Sequence, residues 1–323
     1  MAKVKRQWLS EVHDASADVR VPLATFSPTS GPSKASVSII AGMHPGEAAG
    51  LLAAQDLMTT LIDADLAGTV NVIPIASIEA FYARALQLSP IDERECHYMS
   101  PGHPDGTYTE HLVDILFRTV KGSDVVVDLH GGELVQDLTP YVGVPWRGMQ
   151  DPLWDTCLKV ASCFDVPFLA KRDVYEAGVA LPAALLEAGV PNVWSEIGRN
   201  GLPEPFAIKL QYEGLLRVLG SFGVLDGVKA LARHPTVLGP QHWVVFAGRS
   251  GVWRPEVVAG EHVVRSQRLG TISDEFGSQL QTYEAPGTGV VEYLCTSPAI
   301  SHRRTPYGNR WHQLLAQIVS DGS

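Results

Sequence analysis

The sequence predicts an α/β protein: a mixed, mostly parallel sheet flanked by helices, with a smaller all-β domain at the C-terminal end. Three observations carry that expectation. Short β-branched runs without polar alternation, such as VVVDL at 125–129, read as strands covered on both faces. These runs alternate with helix-length segments, the arrangement of a parallel sheet layered by helices. After about residue 235 the helices give way to short β-like segments between recurring glycines (Gly239, Gly248, Gly251, Gly260, Gly270, Gly277, Gly287, Gly289), the texture of a small barrel or sandwich. The change falls within ARHPTVLG, so residues 1–234 are expected to form the α/β domain and 235–323 a smaller β-domain bordering its site.

Taken in order, the polar turn SPTSGPS at 27–33 leads into a first strand at 37–41. A helix at 46–61 places Ala, Leu and Met on one face, and VNVIPI at 70–75 is the next strand. A helix at 110–119 and the strand at 125–129 follow, then strands at 140–144 and 192–196. Helices are expected at 153–164, 182–188 and 211–222, with a last one at 311–318. The chain shows no internal repeat and no low-complexity tract.

Composition narrows the function. The 323 residues are 45% hydrophobic and 19% charged, as in an ordinary globular protein. A formal net charge of −10 argues against nucleic acid and anionic membrane surfaces, both of which select basic faces. No run approaches the roughly 20 apolar residues that span a bilayer. The basic start MAKVKRQWLSEVHD lacks the apolar core of a signal peptide, so a cytoplasmic location is expected. The four cysteines, 96, 157, 163 and 295, have no paired spacing and read as reduced packing residues, although Cys96 lies near the motifs. The partners expected are a small molecule and, beyond it, at most further copies of the same chain.

The chemistry concentrates at strand ends, where open α/β sheets bind ligands. GMHPGE sets His44 and Glu47 just past the strand at 37–41, and His130 follows VVVDL directly. A hydrolytic zinc site needs three protein ligands and an open position, and imidazole and carboxylate are suitable donors. His44, Glu47 and His130 would supply them, with Gly131 and Gly132 letting the backbone bend beside the ion. His44 and Glu47 also read as ordinary turn residues, since His-x-x-Glu alone is common.

With these motifs in place, the sequence resembles the succinylglutamate desuccinylase/aspartoacylase family, a branch of the zinc carboxypeptidase superfamily, over roughly residues 35–295. GMHPGE (42–47) matches its first metal motif and DLHGG (128–132) its second. SEIGRNG (195–201) is similar to the stretch that holds the family's catalytic glutamate, which puts Glu196 in that role. SPGHPDGTYTEHL (100–112) resembles the Pro-Gly…Asp-Gly-(Ser/Thr)…Glu segment, and the tail from Gly251 resembles the family's C-terminal β-domain. The resemblance implies one Zn²⁺ per chain on His44, Glu47 and His130, polarising an amide carbonyl and acidifying water. It implies that Glu196 takes the water's proton and delivers it to the departing amine. The expected activity is a zinc-dependent amidohydrolase, a deacylase of a small N-acyl amino acid or related amide. A metallocarboxypeptidase acting on short peptides is one alternative; a catalytically silent metal-binding homologue that binds a small ligand is another. Glu196 could also be a buried ion-pair partner of nearby Arg199.

One departure matters. Family members carry an Asn-Arg pair just before the Pro-Gly, and the arginine helps bind the substrate and stabilise the oxyanion. Here the stretch reads ECHYMSPG, so His97 and Tyr98 stand in that place. They cannot form a bidentate carboxylate clamp, although a protonated His97 or the Tyr98 hydroxyl could donate to an oxyanion. Arg94, Arg147, Arg172 or Arg199 could instead enter from another direction. His103 and His111 could line the pocket, Trp146 could wall it, and Trp194 reads as core. His242 reads as a surface or structural residue and Glu133 as a solvated loop carboxylate. No GxGxxG, P-loop or GxSxG offers a nucleotide or serine-hydrolase reading.

Overall fold

A computed structural model describes residues 1–13, 18–148, 150–174, 180–232, 235–239, 241–302 and 313–320. A nine-stranded sheet forms the first layer. Its strands are β1 (Lys3–Val12), β2 (Asp18–Ser27), β3 (Ser36–Ala41), β4 (Thr69–Ile73), β5 (Val125–His130), β7 (Tyr141–Trp146), β8 (Phe168–Asp173), β9 (Asn192–Glu196) and β10 (Thr236–Leu238). The order across the sheet is β1-β2-β4-β3-β5-β9-β7-β8-β10. The central run β4-β3-β5-β9 is parallel throughout, and β7 joins β9 antiparallel. The sheet is therefore mixed but mostly parallel, as the sequence predicts.

Helices α1 (Ala48–Asp63), α2 (Ile78–Ala83), α3 (Tyr108–Val120), α4 (Trp154–Ala161), α5 (Ala180–Glu187) and α6 (Pro205–Ser221) accompany it. One core cluster packs α1, α4 and α6 residues such as Leu57, Val160 and Leu215 onto sheet residues such as Ile39, Val127 and Val193. A second sets Leu112, Val113 and Leu116 of α3 against Val19, Ile40 and Val126. Buried β-branched side chains on both faces account for the unalternated apolar runs. Helix α3 starts on a capping box: Thr107 accepts from the Glu110 amide and Glu110 accepts from the Thr107 amide.

The C-terminal strands form two further sheets. The first joins β11 (His242–Phe246), β13 (His262–Val263), β16 (Gly289–Cys295) and β18 (Leu314–Ser320), with β6 (Gln136–Leu138) on β16. The second joins β12 (Gly251–Pro255), β14 (Arg268–Ser273), β15 (Gln279–Glu284) and β17 (Ala299–Ile300). Their inner faces share one core around Trp253, Ile272, Tyr293 and Ile318. The two parts of the chain are interlocked: β6 leaves the first part to pair with β16, and β10 returns to the edge of the nine-stranded sheet.

Three elements differ from the sequence expectation. The β1–β2 hairpin precedes the expected first strand. Strand β1 is a largely exposed edge bearing Lys3, Lys5 and Arg6, so it carries little apolar signal and is held by ten paired positions with β2. Strand β8 is not among the expected strands: FLAKRD ends in charged residues and carries a short apolar run only at its start. The helix expected at 311–318 is corrected to a strand: residues 314–320 form β18, inserted between β11 and β16. LLAQIV has no decisive periodicity, and its vacant place between two strands outweighs the helix propensity of Leu and Ala. Residues 311 and 312 lie outside the described residues. Among the described residues, no helix is long and apolar enough to cross a membrane.

Candidate active site

Parallel pairing brings the chemistry together. In the register of β5 against β9, His130 is opposite Glu196 and Asp128 opposite Trp194. Residues two apart on a strand share a face, so Asp128, His130, Trp194 and Glu196 form one patch at the strand ends. On the other side of β5, β3 ends at Ala41 and the chain turns through His44 and Glu47 into α1. Helix α1 lies close over β5 at Gly50, where a Cβ would come within 2.9 Å of Leu129 Cβ. Any larger residue there would push the His44–Glu47 turn away from His130.

The buried amide of Gln211, on α6, ties the strand ends further. It accepts from Ser195 Oγ at 2.7 Å and donates to the carbonyls of His130 (3.2 Å) and Ile197 (3.0 Å). Nothing in the local sequence marks Gln211, a helical glutamine, as a brace. Its only signal is a polar residue on the buried face of an amphipathic helix.

Glu47 sits between the two imidazoles. His44 Nδ1 is 2.8 Å from Glu47 Oε1, and His130 Nδ1 is 3.0 Å from Oε2. The outer nitrogens are held by carboxylates: His44 Nε2 is 3.0 Å from Glu95 Oε1, and His130 Nε2 is 3.0 Å from Asp128 Oδ2. This is the arrangement that fixes ligand tautomers, with the outer N–H donated to a carboxylate and Nδ1 left to coordinate. Glu47 Oε2 is buried and, despite its short approach to His130, makes no aligned hydrogen bond. One ligand atom each from His44, Glu47 and His130 lies within 4.8 Å of the others, so the three could hold a metal ion. The donor set, two imidazoles and a carboxylate, fits a divalent transition metal.

Charges in the metal-free cluster agree. Burial opposes ionisation of Glu47, but His44 and His130 outweigh it and pull its carboxyl down to about 2. Burial likewise opposes protonation of the two histidines, and their carboxylate partners overcome it and hold both well above the usual imidazole range. A metal entering the cluster would displace those protons and take over the balancing of Glu47. Glu196 behaves oppositely. Burial pushes it up to about 8, with His130 opposing and Glu47 adding to the rise. His97 is pushed below the usual imidazole value by burial and by neighbouring His130, so it stays neutral.

Residues 33–221 match the family described as succinylglutamate desuccinylase/aspartoacylase catalytic domain. The chain belongs to that family. A curated relative, the N-alpha-acetyl-L-2,4-diaminobutyric acid deacetylase of Halomonas elongata, is 25% identical over 317 residues, covering 96% of this chain and 89% of its own. Among solved structures, the product-bound ectoine utilization protein EutE (DoeB) of Ruegeria pomeroyi superposes with a TM-score of 0.85 at 22% identity, covering 98% of this chain and 95% of that one. A succinylglutamate desuccinylase from a Silicibacter species gives 0.82 at 22%, covering 99% and 95%. These likenesses show that the family fold extends over the whole chain, C-terminal sheets included.

The cluster opens into a cavity of about 170 Å³ lined by His44, Glu47, His130 and Glu196, together with His97 and Tyr98. A larger cavity of about 620 Å³, between α4, α6, residues 228–231, Pro235 and Val237, contains none of the candidate residues. The departure from the family's Asn-Arg pair therefore stands at the site itself. Three of the arginines suggested as substitutes do not line this cavity. Arg147 is held by Asp151 through two hydrogen bonds, and half-exposed Arg199 pairs with Glu204 and Asp137. Arg94 directs Nη1 at the Met99 sulfur. The arginine that does line it is Arg172. His103 and His111 are not in the lining; His111 instead pairs with Glu11 of β1 at 2.9 Å. Trp146 is covered by the Lys171 ammonium at 4.2 Å and is also absent, whereas Trp194 and His242 form part of the wall. Trp194 fits because β7 has Gly143 opposite it, where a Cβ would meet the indole at 2.1 Å. Cys96 is buried, and burial pushes its thiol up to about 12, so it is no nucleophile.

Glu133 corrects another expectation. It is only 2% exposed, its Oε1 has no hydrogen-bond partner, and burial pushes it up to about 7. The folded state thus holds this proton between the usual carboxylate value and about 7, and stability falls as pH rises through that window. In metal-free protein, Glu133→Gln is expected to gain about 1–3 kcal/mol over the parent near pH 8 and nothing near pH 4. Urea denaturation at both pH values checks this; an equal change at both would remove the ionisation as the cause.

Proposed function

We propose that the protein is a zinc-dependent deacylase that hydrolyses the amide bond of a small N-acyl amino acid. The observation that carries this reading is one cavity that holds both a three-donor cluster, His44, Glu47 and His130, and a half-buried carboxyl, Glu196, pushed up to about 8. Zinc in that cluster would supply Lewis acidity to the scissile carbonyl and to water. Asp128 and Glu95 hold the two imidazoles in the tautomer that leaves Nδ1 for the ion. Glu196 takes the proton of the attacking water and returns it to the nitrogen of the departing amine, a shuttle that suits a carboxyl whose pKa lies near neutral. His97, neutral and beside the cluster, and Tyr98 donate hydrogen bonds to the oxygen that gains charge.

Residues 1–234 supply the chemistry and 235–323 supply part of the wall, through His242, Tyr293 and Gln317. A cavity of about 170 Å³ closed by this second part accommodates a compact amide and crowds a peptide, which favours deacylation over carboxypeptidase action. The relative's name makes N-acetyl-L-2,4-diaminobutyrate the first substrate to try. The four cysteines are free and buried, in accord with a reducing, cytoplasmic setting.

Metal analysis of the purified protein beside His130→Ala tests the reading. Wild type is expected to carry about one zinc per chain, and the variant to bind it at least about 100-fold more weakly, without activity. Wild type that takes up no zinc and cleaves no amide after zinc is supplied would end this reading.

A further inference from the structure

We propose that Arg172 recognises the substrate's carboxylate in place of the family arginine, and that the site therefore takes N-acyl amino acids bearing a single carboxylate. The inference rests on the deacylase reading above and adds a substrate class to it.

Arg172 stands near the end of β8, 6% exposed, and lines the same cavity as His44, Glu47, His130 and Glu196. Its guanidinium is held by Glu292 and by the Tyr141 hydroxyl, which leave Nη1 unused. Nη2 donates to both oxygens of Glu292, at 2.5 and 2.6 Å, and Glu292 is fully buried on β16. The Tyr141 ring packs against the guanidinium, 5.7 Å from Cζ. Nη1 is buried and has no hydrogen-bond partner. An orphan donor on a buried cation is costly, and an incoming carboxylate would satisfy it.

The charge count sets the number of carboxylates. Among the described residues that line the cavity, Arg172 is the only arginine or lysine. Glu292 already balances its unit charge, and Glu95 and Glu47 lie in the same wall. One carboxylate gains the free Nη1. A second, held away from the metal cluster, would meet no further arginine or lysine among the described residues of the wall. The pair His97–Tyr98, standing where the family carries Asn-Arg, adds no second guanidinium to the wall.

The test uses zinc-loaded, full-length protein and three substrates: N-acetyl-L-2,4-diaminobutyrate, its carboxamide, and N-acetyl-L-glutamate. Wild type is expected to favour the first over its carboxamide by about 100-fold in kcat/KM, mostly through KM, and over the dicarboxylate by at least about tenfold. Arg172→Met is expected to abolish the preference for carboxylate over carboxamide, its loss in kcat/KM falling on the acid far more than on the carboxamide. Because it strands Glu292, it is paired with the double variant R172M/E292L, which removes both charges. Equal losses on acid and carboxamide in these variants would mean a structural role only. Wild-type indifference between acid and carboxamide would also overturn the assignment, and better turnover of N-acetyl-L-glutamate would overturn the single-carboxylate rule. If no amide is cleaved, the deacylase reading fails separately. Calorimetric binding of N-acetyl-L-2,4-diaminobutyrate against its carboxamide, to wild type and to R172M/E292L, then decides the role of Arg172 by the same comparison.

Discussion

Glu196→Gln is expected to lower kcat by about 10²–10⁴-fold on whichever amide the protein cleaves, with zinc content and KM little changed. Gln preserves the shape at the end of β9 and the register with His130, and it removes only the capacity to take and return a proton. Burial already pushes Glu196 up to about 8 in the metal-free cluster, and a dication beside it would draw that value down toward the working range of a general base. The measurement is steady-state kinetics beside zinc analysis. A variant that keeps wild-type turnover would remove Glu196 from the chemistry. Unchanged affinity for a ligand, in a protein whose wild type shows no turnover, would instead favour a silent metal-binding homologue.

The largest stability effect is expected at Glu292. Its carboxylate is fully buried and meets Arg172 across 120 residues of sequence, joining β16 of the C-terminal sheets to β8 of the first sheet. Glu292→Ala leaves the guanidinium buried without its counter-charge and is expected to cost about 3–5 kcal/mol. R172M/E292L exchanges both groups for apolar ones of similar size and is expected to recover most of that loss. Urea denaturation of the three proteins measures this directly. A loss below about 1 kcal/mol in Glu292→Ala would place the pair among weak, solvent-screened contacts.

Much of the site was legible in the chain. His44, Glu47, His130 and Glu196 were each marked by position, immediately past or at the end of a short β-branched run, and parallel strands deliver such ends to one place. The strand at 192–196 matched β9 residue for residue. What escaped had weak local signals. The edge strand β1 is too exposed to show an apolar pattern, and β18 takes its conformation from the partners on either side of it. Glu133 and Gln211 look like ordinary polar residues until burial is known.

The arginines mark the limit most clearly. The sequence offered four with equal claim, and three of them are engaged away from the cavity while Arg172 enters it. Local pattern determines which segments become buried strands, and so where a metal cluster can form. Which long side chain reaches that cluster depends on pairings between distant segments: β8 beside β7, and β16 laid against them with Glu292. A guanidinium extends several ångströms from its backbone and is held by whichever carboxylate the fold places near it, and no spacing along the chain encodes that meeting.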